Sequence, residues 1–257
     1  MPETVRFTQS NTVSTHAWGS QPEMFGPLHG HRLGRMLREV ANLPRGSRIL
    51  DGAVGLGTLA VSIQQHGHRA FGIDYSFDAA LHVKRTSTVP VVVGDMTRMP
   101  FREGVFDGMT SGETLEHLER DADAAREMRR VVRDGGICVV TVPALMSLWS
   151  SSDDYYGHLR RYSSETLRTL FRSAGLDVAK ARYWGFPMAL AYDIAFLRRM
   201  NRRRATRPVD DDAMLRSVAR VGKLRPLVAL VRSLFNVDYL FAWLPFGPGL
   251  LLVAIKR

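Results

Sequence analysis

Ile49-Leu50-Asp51-Gly52-Ala53-Val54-Gly55-Leu56-Gly57-Thr58 joins a short apolar strand to a helix through a loop holding three glycines. The strand ends on a carboxylate, Asp51. Gly52, Gly55 and Gly57 let the backbone turn tightly and approach a ligand closely, and the helix start offers N–H groups without intrahelical partners. The spacing Gly55-x-Gly57-x-x-Ala60 also satisfies the dinucleotide fingerprint G-x-G-x-x-G/A. Working outward, apolar runs predict further strands at 69–74, 89–94, 106–111, 137–142 (opened by the turn Arg133-Asp134-Gly135-Gly136), 176–183 and 249–255. Amphipathic stretches predict helices at 21–40, 58–65, 77–85, 120–133 and 163–174, and two more at 186–200 and 213–235, the last with Pro226 as a break. Strands buried on both faces and alternating with helices predict an α/β fold. Its Rossmann-like, mostly parallel sheet carries helices on both faces, with an N-terminal helical cap and a helical insertion before the last strand.

Three strand ends carry carboxylates: Asp51, Asp74 and Asp95. Neighbouring parallel strands bring their C-terminal ends to one crevice, where open α/β sheets bind ligands. Asp74 is placed to accept from both hydroxyls of a ribose and Asp95 from an exocyclic adenine amine. Asp51, beside the loop, suits an ammonium and repels a pyrophosphate. An adenine nucleoside with a cationic end and no phosphates fits all three, a description that S-adenosylmethionine meets.

The segments ILDGAVGLG, GIDYS, VGDMTRMPF, FDGMTSGETLEHL and RDGGICVVTVP, in order across residues 48–143, resemble the class I S-adenosylmethionine-dependent methyltransferase family. The resemblance implies that Gly52, Gly55 and Gly57 line the methionine part and that Asp74 takes the ribose hydroxyls. It places Tyr75 on adenine, Asp95 and Met96 at the adenine edge, and Gly112-Glu113 near the methionine end. The expected activity is methyl transfer to a small-molecule acceptor, a specialised metabolite or a lipid-like or anionic compound, with S-adenosylhomocysteine as product. One position departs from the pattern: Ala53 stands at the first glycine of D-x-G-x-G-x-G, with Gly52 before it, so a turn shifted by one residue is expected. A NAD(P)-dependent oxidoreductase, or a related fold that binds the cofactor without methyl transfer, stays open.

On the acceptor side, Glu113 and His117 are four residues apart and share a face if a helix begins there. His117 then acts as a general base oriented by Glu113, or it only packs and caps the next helix. The stretch from Trp149 to Tyr162 follows strand five and ends in H-x-R-R-Y; His158 and Tyr162 are the further candidates for proton transfer. The alternative is a structural loop in which an arginine pairs with Asp153 or Asp154. The pairs His29/His31 and His66/His68 have no carboxylate or thiolate at ligand spacing, so no metal is expected from them. The single cysteine, Cys138, excludes a disulfide framework and reads as inert core.

The chain has 257 residues, with 35 Lys and Arg against 25 Asp and Glu and a net charge of +10. Between Arg198 and Arg232 stand eleven basic residues and the three acids Asp210 to Asp212, so this window holds most of the excess. A nucleic-acid-binding face would spread its charge over several elements, and few aromatics interleave with these arginines, so nucleic acid is not an expected partner. A helix on an anionic membrane surface, a lid over an anionic acceptor and a solvated face of a packed insertion all use the same residues. The polar start has no signal-peptide h-region, and Pro245 to Gly249 interrupt the most apolar stretch, 239–255. The expectation is a cytoplasmic single domain, with peripheral membrane contact through 186–232 as one reading. It divides into an arm and cap (1–44), a cofactor-binding core (45–184), the basic insertion (185–247) and the last strand (248–257). The oligomeric state is not legible.

Overall fold

Alternation of apolar side chains builds two cores on one sheet. In β1 (Arg48–Gly52) Ile49 and Leu50 enter opposite hydrophobic clusters, and in β5 (Val132–Pro143) Val139 and Val140 divide the same way. Such strands require a layer on each side. One layer is α4 (Asp121–Val131) with α6 (Ser164–Ser173), entering the core through Met128, Leu167 and Phe171. The other is α1 (Pro27–Val40), α2 (Thr58–Gln65) and α3 (Phe77–Thr86), entering through Met36, Ile63 and Val83. Each fully buried aliphatic of this kind contributes about 1.5–3 kcal/mol of hydrophobic stabilisation. The structure, a computed structural model, describes residues 26–205 and 225–257.

The sheet is completed by β2 (Arg69–Asp74), β3 (Val91–Val93), β4 (Phe106–Gly112), β6 (Asp177–Trp184) and β7 (Gly249–Ile255). Its seven strands run in the order β3-β2-β1-β4-β5-β7-β6, and β7 is antiparallel to both of its neighbours. Gly52 lies level with Ile73 on β2 and with Ser111 on β4, while Asp74 lies level with Val93 on β3. The strand ends that carry Asp51 and Asp74 therefore share one edge.

The expected α/β sheet, cap and insertion are all present, and the differences have local causes. Residues 148–162 were expected as a loop; α5 (Ser151–Tyr156) forms there because Ser150 and Asp153 make a reciprocal capping box. The apolar helix after β6 starts at Met188. It runs as α7 (Met188–Tyr192) through a π-turn at Asp193–Leu197 into α8 (Arg198–Ala205), so the apolar-to-basic transition is continuous helix. Of the helix expected at 213–235, the described part is α9 (Arg225–Leu234); the remainder, and the N-terminal arm, lie outside the described residues.

The insertion is fastened to the cap. His31 on α1 sits among the rings of Trp184, Phe235 and Tyr239 at centroid distances of 6.0, 5.5 and 5.7 Å. The Arg35 guanidinium lies 4.3 Å from the Tyr239 ring centroid, and Arg38 donates to the Tyr239 hydroxyl. His31 is thus turned into an aromatic nest away from His29, whose Nδ1 pairs with Arg32 at 2.9 Å.

Ala53 resolves the departure in the glycine loop. Its φ is +55°, the left-handed conformation that glycine takes freely, and Gly55 and Gly57 follow at +53° and +78°. The turn is not shifted: Ala53 adopts the glycine's conformation, and Gly52 stays in β1. Gly52 is required for packing instead, because a Cβ there would lie 2.7 Å from Met109 Cε and 3.0 Å from Met96 Sδ. Left-handed alanine costs roughly 1–2 kcal/mol, against which glycine loses about 0.4–1 kcal/mol through the unfolded chain. Ala53→Gly is therefore expected to raise stability by up to about 1 kcal/mol, read from urea denaturation midpoints.

Candidate active site

The glycine loop is tied to the strand ends by Asp74. Its Oδ2 accepts from Gly55 N–H and its Oδ1 from Ser76 N–H, both at 2.8 Å. Ser76 in turn caps α3 by accepting from Ala79 N–H. One carboxylate thus fixes the loop after β1 and the turn after β2, and burial raises its proton affinity. Asp51 is deeper, at 3% exposure, and accepts from Thr110 Oγ1 at 2.8 Å. Burial pushes its carboxyl up to about 8; the Thr110 hydrogen bond opposes the shift and the charge of Asp74 adds to it.

The other residues expected at the cofactor site follow the ends of β2, β3 and β4. Tyr75 is exposed beside the β2 end, and Met96 is buried against Ser111 and under Gly52. Asp95 is exposed and accepts from Thr97 N–H in a tight turn. Gly112 ends β4 under α1, where a Cβ would come 3.3 Å from Met36 Sδ. Glu113 has a φ of +53°, donates its N–H to Thr141 O, and places Oε2 3.6 Å from Arg32 Nη1.

The helix on which Glu113 and His117 were to share a face does not form; Leu115–His117 is a single 3₁₀ turn. His117 meets His158 instead, with ring centroids 4.8 Å apart in T geometry. Burial, then the charge of His158, lowers its imidazole to about 3. Glu116, which the sequence reading passed over, lies between them fully buried, its Oε1 3.9 Å from His117 Nε2 and 4.0 Å from His158 Nε2.

The H-x-R-R-Y segment is braced from within. Asp153, fully buried, accepts from His158 Nδ1 at 2.8 Å, from Arg161 through Nε and Nη2 at 2.7 and 2.9 Å, and from Ser150 N–H. Burial works against its charged form, yet the His158 and Arg161 contacts prevail and hold its carboxyl well below the usual range. Arg160 pairs with Asp121 at 2.9 Å. Tyr162 is buried, donates to Asp121 Oδ2 at 2.7 Å, and its hydroxyl is pushed far above the ordinary tyrosine value by burial and by that carboxylate. A phenol so held favours its protonated form, with Asp121 as its hydrogen-bond acceptor. On the outer side, buried Asn201 of α8 donates to Ser152 Oγ and Tyr156 OH, so the basic helix rests on α5.

Glu116 was missed because its approach to His158 joins residues about forty apart, whereas Asp153 was already named as a possible arginine partner and pairs with Arg161.

A family model described as a methyltransferase domain matches residues 50–140. A demethylmenaquinone methyltransferase from Mycolicibacterium vanbaalenii is 32% identical over 146 residues, covering 49% of this chain and 64% of that protein. The chain thus spans less than two thirds of that relative. A protein of the same name from Mycolicibacterium paratuberculosis is 31% identical over 161 residues, covering 62% of this chain and 70% of the relative. Among solved structures, a Haemonchus contortus phosphoethanolamine N-methyltransferase 2 in complex with S-adenosyl-L-methionine superposes with a TM-score of 0.59. It is 17% identical and covers 88% of this chain and 52% of that one, a likeness of fold.

Proposed function

Since the chain belongs to the class I S-adenosylmethionine-dependent methyltransferase family, we propose that it transfers a methyl group from S-adenosylmethionine to a small-molecule acceptor. The buried Asp51 carboxylate carries this reading. A cationic ligand end placed beside it recovers the energy that burial costs the anion. A diphosphate gives no such recovery and, wherever the carboxyl ionises, would face like charge, at about 4 kcal/mol for a 4 Å separation at an effective dielectric of 20. That weighs against a nicotinamide dinucleotide.

When bound, S-adenosylmethionine supplies a methyl group activated by the sulfonium charge. In this reading the loop at Gly55 and Gly57 admits the methionine part and Asp51 faces its ammonium. Asp74 accepts from the ribose hydroxyls, Tyr75 covers adenine, and Asp95 and Met96 border it. Gly112 and Glu113 form the floor toward the acceptor. An imidazole held near 3, like that of His117, gives little driving force as a base at neutral pH. The acceleration then rests on positioning, which supplies up to about 7–11 kcal/mol in well-oriented reactions. The named relatives act on demethylmenaquinone, which supports an acceptor of small-molecule size.

S-adenosylhomocysteine is expected to raise the melting temperature, because a ligand of the native state stabilises it, and NAD(P) is not. The reverse pattern would overturn the reading. Labelled cofactor incubated with cell-extract metabolites then identifies the acceptor, and binding without label transfer would leave only a cofactor-binding fold. Tyr162→Phe is expected to cost about 1.5–3 kcal/mol of stability while keeping turnover within about twofold, whereas a proton-transfer role would cost about a hundredfold.

The insertion supports contact with an anionic membrane surface. Leu230, Leu234 and Val237 are exposed at i, i+4, i+7 spacing, and Leu240 and Trp243 are 73% and 77% exposed. Ile194 and Phe196 add exposed apolar surface, next to the exposed Arg199 and Arg202. No helix among the described residues is long and apolar enough to cross a membrane, so this contact is peripheral. Cosedimentation with phosphatidylglycerol vesicles at low salt, weakened by Trp243→Ser with Leu240→Ser, is the expected result. No cosedimentation removes the idea.

A further inference from the structure

We propose that Glu116, His117 and His158 form a site for a divalent first-row transition-metal ion on the acceptor side of the glycine loop. One ligand atom from each of the three lies within 4.8 Å of the other two. Glu116 is fully buried, and neither of its carboxylate oxygens has a hydrogen-bond partner. Buried carboxylate oxygens left unpaired are costly, and something must satisfy them.

A proton cannot bridge the gap. At 3.9 and 4.0 Å from Glu116 Oε1, the imidazole nitrogens lie outside hydrogen-bond reach, whereas a metal ion with ligand bonds of about 2.0–2.2 Å spans such separations. The surroundings are those of a metal ligand set. His158 gives its Nδ1 to Asp153, which leaves Nε2 facing Glu116, and Asp153 is itself locked by Arg161; carboxylate-held histidines of this kind orient metal ligands.

Two imidazoles and one carboxylate suit Zn2+, Mn2+, Fe2+ or Co2+, rather than Mg2+ or Ca2+, which prefer all-oxygen shells. Three protein ligands leave coordination positions open, where an acceptor oxygen can bind. The site stands independently of the methyl-donor reading, because its test uses metal alone.

The full chain, stripped with chelator, is dialysed against Co2+ and then Zn2+, and bound metal is measured by mass spectrometry and Co2+ absorption. One equivalent with a Co2+ d–d spectrum is expected. Glu116→Gln and His158→Ala should each lose it, and Asp153→Asn should weaken it about 10–100-fold. Circular dichroism melting curves verify that each variant is folded, and the wild-type stoichiometry and spectrum decide the matter should a variant not fold. Absence of stoichiometric binding to the wild type overturns the proposal. So does one equivalent that persists in folded Glu116→Gln and His158→Ala, since the metal then sits elsewhere.

Discussion

Asp74→Ala is expected to weaken S-adenosylhomocysteine binding by two to three orders of magnitude. The carboxylate has two tasks. Toward the protein it holds the glycine loop through Gly55 N–H and the α3 entry through Ser76 N–H. Toward the proposed ligand it accepts from the ribose hydroxyls, and hydrogen bonds to a charged group contribute about 1.5–3 kcal/mol each. Two such bonds predict a loss of about 3 kcal/mol or more, and release of the loop adds a cost of ordering on binding. Asp74→Asn keeps an acceptor oxygen but no charge and should fall between. Isothermal titration measures all three proteins. An affinity within threefold of wild type for Asp74→Ala would refute the role, whatever the variant's stability.

The same residue illustrates what a sequence shows and what it hides. Asp51 and Asp74 were legible as neighbouring strand-end carboxylates because each ends an apolar run, and a parallel sheet brings such ends together without further information, whereas Asp95 falls in a turn beyond β3. The sheet was legible for the same reason: 2-residue and 3.6-residue periods are local. Ala53 was misread because a side chain argues against a positive φ, yet Ala53 takes φ +55° in the loop. The contact of His117 with His158 was not anticipated. The spacing of His117 to Glu113 is a helix argument, and the chain makes a 3₁₀ turn there instead. The convergence of Glu116, His117 and His158 depends on a return of the chain after β5. No spacing rule reports that. The fastening of α1 by Trp184 and Tyr239 was hidden in the same way, because aromatic nests assemble from residues far apart in sequence.

Asp51→Asn should separate stability from binding, with opposite signs. In the folded protein the Asp51 carboxyl is raised to about 8, chiefly by burial, against about 3.9 in an unfolded chain. A raised value means that the folded state keeps a proton that the unfolded state has released, so stability is highest below pH 4 and declines as pH rises toward 8. The slope is at most about 1.4 kcal/mol per pH unit, hence about 4 kcal/mol between pH 5 and 8. Asparagine carries no such charge. The variant should therefore melt higher than the wild type at pH 8, with the gap narrowing toward pH 5; a gap that does not change with pH excludes the linkage. Ligand binding runs the other way. A cationic ligand end needs the ionised carboxylate, so wild-type affinity for S-adenosylhomocysteine should rise about tenfold per unit between pH 6 and 7.5, with about one proton released on binding. Titration calorimetry in buffers of different ionisation enthalpy reads that proton directly. In Asp51→Asn both the affinity and its pH dependence should collapse. A wild-type affinity that is flat across this range would show that the buried carboxylate does not face the ligand's charge, and the preference for a cationic cofactor over a dinucleotide would lose its physical basis.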